Sequence, residues 1–96
     1  MSRNPKKWDF DKPKDFREQV LKLPKEVRPR LTEVMTLLSE SDNPLALGKR
    51  KITKRGEIYA IRLNDYYRLS YYILHPETRK INIYRVGDHK FVQGKG

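Results

Sequence analysis

The side chains best suited to chemistry in this sequence are basic, and they crowd into residues 57–93, EIYAIRLNDYYRLSYYILHPETRKINIYRVGDHKFVQ. Three apolar runs alternate there in steps of two, with Arg62, Arg68, Arg85, His89 and Lys90 between or just beyond them. A sheet built from these runs can bring the five onto one anionic substrate. Guanidinium forks match phosphate oxygens, and His89 is the side chain nearby whose unperturbed pKa suits proton transfer near neutral pH. Tyr72, Tyr84 and Phe91 offer rings on which an unpaired base can stack. The chemistry within reach of such a set is metal-free phosphoryl transfer on RNA. A 2′-OH attacks the adjacent phosphate as a base takes its proton, cations stabilise the developing charge, and an acid protonates the leaving 5′ oxygen. A single histidine after a strand is also, often enough, ordinary surface, so residue types alone leave catalysis and simple anion binding both open.

Composition narrows the classes. The chain has 96 residues, 22 Lys and Arg against 12 Asp and Glu, and a net charge of +10. Such a balance on one small domain points to an anionic partner: nucleic acid first, an acidic protein second, a membrane surface third. Cysteine is absent, which removes disulfides, thiolate catalysis and cysteine-ligated zinc. His75 and His89 stand far apart in sequence, and no metal-ligand spacing, Gly-rich phosphate loop, nucleophile elbow or carboxylate pair appears, so neither a metal nor a cofactor is expected. The opening MSRNPKKWDF has no apolar run after its basic residues, and no apolar cluster is long enough to cross a bilayer. A cytoplasmic protein with no membrane partner is the expectation.

The elements that must carry these residues can be traced along the chain. Residues 1–7 read as a flexible basic arm of a single domain spanning 1–96. Trp8 and Phe10 share a face at strand spacing. Asp11 suits a helix cap and Pro13 a first turn; Phe16, Val20 and Leu23 then follow at helical spacing. Pro24 closes that helix, and Val27, Leu31, Val34, Met35 and Leu38 stripe a second one. Pro29 is tolerable near its start. SESDNP is turn chemistry. Residues 45–56 (LALGKRKITKRG) read as a connection to the sheet, five of the seven residues 49–55 being basic. Lys49, Arg50, Lys51, Lys54 and Arg55 form either a solvated loop or an RNA-facing rim, and the overall charge favours the rim. The fold class that results is α+β: an N-terminal strand, an antiparallel two-helix hairpin and a three-stranded antiparallel sheet.

Register decides where the arginines point. A two-residue turn at Asn64-Asp65 sets Ile61 opposite Arg68 and puts charge on the apolar face. A three-residue loop, Asn64 to Tyr66, pairs Leu63 with Tyr67, Ile61 with Leu69 and Tyr59 with Tyr71, and it sets Arg62 opposite Arg68 and Ala60 opposite Ser70. A one-residue slip flips every side chain, so burial selects the second register. Like charges directly opposed cost roughly 0.2–1 kcal/mol, and no acid follows on that face. The third strand, Lys80 to Val86, turns Ile81 and Ile83 inward and leaves Asn82 and Tyr84 with the arginines. Gly87 then lets His89 and Lys90 fold back over the sheet.

The order of these elements, with LKLPKEVRPRLTEVMTLL, GEIYAIRLNDYYRLSYYI and INIYRVGDHKFV, resembles the RelE/ParE superfamily of toxins from type II toxin–antitoxin systems over roughly residues 8–93. The resemblance implies a metal-free, ribosome-dependent endoribonuclease that cuts mRNA in the A site. Its partners would be the ribosome with its 16S rRNA, the mRNA and a cognate antitoxin. It implies that Arg68, in the run Tyr67 to Tyr71, is the phosphate-stabilising arginine, that Arg62 is a basic position often filled by lysine, and that His89 holds the catalytic basic place after Gly87. Two departures stand out. Ala60 occupies a place that is often basic, and Gln93 follows Val92 where a tyrosine is common. Glutamine neither gives nor takes a proton as a phenol does, so either His89, Lys90 and the 49–55 run carry the reaction or the activity is weakened. A ParE-like gyrase inhibitor acting by binding, and an inactive antitoxin-binding relative, are the other readings that the resemblance leaves.

Overall fold

A three-residue strand, β1 (Asp9–Asp11), leads into helix α1 (Phe16–Leu21) and helix α2 (Arg28–Glu40). The computed structural model describes residues 7–54 and 56–92. A 3₁₀ turn, Pro44–Leu47, precedes strands β2 (Lys49–Thr53), β3 (Gly56–Arg62) and β4 (Tyr67–Tyr72). A second 3₁₀ turn, Pro76–Thr78, leads to β5 (Lys80–Asp88) and a four-residue helix, α3 (His89–Val92). The sheet order is β1-β5-β4-β3-β2, with β1 parallel to β5 and every other pair antiparallel.

The sheet therefore has five strands, one more than the pattern of apolar residues predicts. Part of the expected 45–56 connection is strand: Lys49 pairs with Ala60, Lys51 with Ile58 and Thr53 with Gly56. Gly56 sits at φ 128°, a conformation that glycine tolerates and that reverses the chain. Charged side chains suit this strand because it is an edge and stays solvated. The first helix also differs. It begins at Phe16, with Asp15 rather than Asp11 at its N-terminal boundary. The Asp15 carboxylate does not cap the backbone; it accepts from Gln19 Nε2 at 2.9 Å. Pro29 lies in the first turn of α2, where its missing N–H costs nothing.

Burial follows the two periodicities. Leu23, Val27, Leu31, Val34 and Leu38 from the helical layer pack with Leu63, Leu69, Tyr71, Ile81, Ile83 and Val86 from one face of the sheet, and Trp8 joins them. The β3–β4 register is the one that keeps charge off this face: Tyr59↔Tyr71, Ala60↔Ser70, Ile61↔Leu69, Arg62↔Arg68. Its loop is closed by Leu63 N–H donating to Tyr67 O at 2.8 Å. Asn64 Oδ1 accepts from the amides of Tyr66 and Tyr67.

Strand β5 departs from strict alternation. Ser70 pairs with Arg85 but Tyr71 pairs with Ile83, so Tyr84 is an inserted residue in a bulge. Unbroken alternation would carry Arg85 inward behind Ile81 and Ile83. The bulge brings Val86 to the core instead and leaves the guanidinium outside. Ser70 Oγ holds the bulge by donating to Arg85 O and accepting from Arg85 N–H, each at 3.1 Å. Beyond Asn82 the outer edge of β5 has no strand partner in β1. Buried Gln19 of α1 covers it, its Oε1 accepting from Val86 N–H at 2.9 Å.

Ile58, Ala60, Ser70 and Val92 are buried outside the helix-side core. By strand parity the first three belong to the face carrying Arg62 and Arg68, and α3 packs on β4 and β5. Among the described residues, no helix is long and apolar enough to cross a membrane.

Candidate anion-binding groove

Three elements converge on the sheet face away from α1 and α2. The β3–β4 register sets Arg62 beside Arg68. Strand β2 contributes Lys49 and Lys51, whose partners Ala60 and Ile58 lie on that same face. Helix α3 closes the third side with His89. These five side chains line an open groove of about 460 Å³, floored by Ala60 and bounded by Leu47 and Gly48. Among the described residues no carboxylate lines it.

The two arginines have different surroundings. Arg62 Nη1 lies 3.8 Å from Asp65 Oδ1, with both side chains largely exposed. An acid therefore does come near the pair, but such an exposed contact contributes roughly 0–1 kcal/mol. Arg68 is half-buried, and its Nη1 is buried with no hydrogen-bond partner among the described residues. A desolvated donor without an acceptor costs about 1–3 kcal/mol, and a charged one more. An anion in the groove would satisfy it.

His89 is placed by backbone contacts. Its N–H donates to Tyr66 O at 3.1 Å, tying α3 to the β3–β4 loop. Two residues on, Phe91 N–H donates to Asp88 Oδ1 at 2.9 Å, so Asp88 caps the start of α3. The Asp three residues before Phe91 is a recognisable capping spacing, although the sequence pattern drew attention only to its neighbours. Gly87 serves a different purpose from the one expected. Its φ is not positive; instead a Cβ there would lie 2.7 Å from Phe91 Cδ2, so only glycine lets that ring close down.

The other residues singled out in the sequence lie elsewhere. Arg50 faces the opposite side of β2 and pairs with Glu57 at 3.3 Å. Lys54 is exposed in the β2–β3 turn, and Lys90 is exposed outside the groove. Arg85 is outside the groove too, its guanidinium carbon 5.0 Å from the centre of the Tyr84 ring and 4.9 Å from that of Phe91. Tyr72 and Tyr84 line a separate hollow near Leu74. Arg55 and Gln93 lie outside the described residues. Among the described residues no group of three or more His, Asp or Glu side chains could hold a metal ion.

No protein-family model matches the sequence, and no curated protein matches it. Solved structures do match the fold. The archaeal RelE–RelB complex from Pyrococcus horikoshii OT3 superposes with a TM-score of 0.66 at 19% identity, over 94% of this chain and 99% of that one. A mutant of E. coli toxin RelE in the free state gives 0.65 at 24% identity, over 88% and 85%. The intact E. coli RelBE toxin–antitoxin complex gives 0.61 at 25% identity, over 84% and 95%. The helical hairpin laid on one face of the sheet, with the basic groove on the other, is carried on a shared fold, and that fold is the one seen in the RelE toxins.

Proposed function

We propose that the groove is the active site of a metal-free endoribonuclease that cleaves ribosome-bound mRNA in the A site and so arrests translation. The observation that carries this reading is Arg68 Nη1, which is buried, without a hydrogen-bond partner among the described residues, and set beside Arg62 in a groove that no described carboxylate lines. In this reading Arg68 and Arg62 clamp the scissile phosphate and offset its growing charge as the 2′-OH attacks. Lys49 and Lys51 hold neighbouring phosphates as point charges. His89 gives a proton to the leaving 5′ oxygen, being the groove residue whose ring can both donate and accept one, while solvent water takes the proton of the attacking 2′-OH. Gln93 supplies no phenol, which sets the rate below that of a tyrosine-bearing relative. An antitoxin of acidic character would silence the toxin by covering this cationic face, in keeping with neighbours solved as toxin–antitoxin complexes.

The test is cell-free translation with primer extension on the mRNA, comparing wild type, Arg68→Ala and Gln93→Tyr, with circular dichroism to verify folding. Arg68→Ala is expected to abolish cleavage and Gln93→Tyr to raise it. A folded Arg68→Ala protein that arrests translation as fully as wild type overturns the reading. A parallel supercoiling assay covers the gyrase alternative, which predicts inhibition there and no cut in the mRNA.

A further inference from the structure

We propose that Arg85 is a positioning residue: it clasps α3 to the sheet and thereby fixes His89 over the Arg62–Arg68 pair. The inference rests on the nuclease reading for its catalytic consequence, but the clasp itself is a matter of geometry.

Three contacts converge on this side chain. Its Nη1 donates to Phe91 O at 2.9 Å, near the C-terminal end of α3. Its guanidinium lies within cation–π distance of both the Tyr84 and Phe91 rings. Its backbone is held by Ser70 Oγ on both N–H and C=O. The bulge at Tyr84 is what makes all three available, because it turns Arg85 out of the core and toward α3.

A four-residue helix has no stability of its own. Its terminal amides and carbonyls need partners from outside. In α3 those partners are Asp88 for an amide at the start and Arg85 for a carbonyl at the end. The arginine also places positive charge at the helix end where it is favourable. Gly87 completes the fit by leaving room for the Phe91 ring. Val92 is fully buried, so releasing Arg85 would loosen an anchored turn, and His89 belongs to that turn. With one donor committed and two rings against its guanidinium, Arg85 is poorly placed to serve as a phosphate contact.

Lysine at this position keeps the charge but loses the planar fork and the stacking, which separates the two roles. Arg85→Lys, Arg85→Gln and Phe91→Leu are compared with Lys51→Gln in two measurements: amide hydrogen exchange at Phe91 and Val92, and ribosome-dependent cleavage resolved into kcat and KM across pH. The clasp predicts faster exchange in Arg85→Lys, Arg85→Gln and Phe91→Leu. It predicts a kcat lowered roughly 10- to 100-fold by misplacement of His89, with KM within about twofold and an altered pH profile of kcat. Lys51→Gln should raise KM and leave exchange untouched. Wild-type exchange and cleavage in Arg85→Lys, with a salt-dependent rise in KM in Arg85→Gln, would overturn the inference and make Arg85 an RNA contact. Phe91→Leu leaves β5 unaltered, so it decides the matter should the Arg85 variants fail to fold. If wild type cuts no RNA, the nuclease reading fails while the exchange data still settle the clasp.

Discussion

Arg62 and Arg68 stand directly opposite each other across β3 and β4, one with Asp65 at 3.8 Å and the other with a buried Nη1 that has no hydrogen-bond partner among the described residues. Removing one of two opposed like charges relieves repulsion of roughly 0.2–1 kcal/mol. Arg62→Gln should therefore raise the urea midpoint while lowering cleavage, a sign pattern common where a site is strained for function. An unchanged or lower midpoint would show that the contact with Asp65 already offsets the repulsion.

The same pair predicts that anions stabilise the fold. A ligand that binds only the native state raises stability by RT ln(1 + [L]/Kd). Inorganic phosphate, or a short uncleavable RNA, should raise the melting temperature of wild type and do so much less in Arg68→Ala. Equal shifts in both proteins would place the anion elsewhere on this basic surface.

Gln19 Oε1 accepts from Val86 N–H at the edge of β5 beyond β1. Gln19→Leu keeps the volume but orphans that amide, at a cost of about 1–3 kcal/mol. Chemical denaturation should show the loss, with exchange at Val86 accelerating beyond its neighbours. A neutral result would mean that water reaches the edge.

Tyr71 is fully buried, and its hydroxyl donates to Pro44 O at 2.6 Å. Burial first, and nearby Tyr59 second, push its pKa well above the ordinary 10.0. A folded-state pKa above the unfolded value means that the neutral phenol's contribution is fully present below about pH 10 and is lost as pH climbs beyond it. Stability measured by denaturant should hold up to about pH 10 and then fall. Tyr71→Phe should be less stable at neutral pH and show a shallower alkaline decline. Parallel declines in the two proteins would assign the effect to other groups.

Gly48 lies against the same phenol. A Cβ there would come within 2.5 Å of Tyr71 Oη and 3.2 Å of Tyr59 Cβ. Gly48→Ala must displace a ring that has no free space, which typically costs about 1–3 kcal/mol. The 44–48 turn delivers β2 to the groove, so phosphate affinity should fall with stability. A thermal melt and a phosphate titration together check this.

Much of this arrangement was legible in the chain itself, because charge and period conflict in only one of the two possible β3–β4 registers. Burying Arg68 is costly enough to select the loop from Asn64 to Tyr66, and the pairing of Arg62 with Arg68 follows. The helical stripe Leu31, Val34, Leu38 was equally plain. Strand β2 was not, since KRKIT carries the composition of a solvated loop, and only its pairing to β3 makes it a strand. The bulge at Tyr84 left no spacing signature either. Without it, Arg85 counts as one more cation for the substrate; with it, the guanidinium faces α3.

The outermost strand has a consequence for behaviour in crowded solution. Among the described residues β2 is an edge strand, the sort of edge on which sheets of separate molecules join. Lys49, Arg50 and Lys51 ensure that a second copy approaching in that way meets its own charge. Charge on both faces of β2 thus also keeps the molecules apart, and neutralising these three residues is expected to favour edge-to-edge association, read as a rise in light scattering.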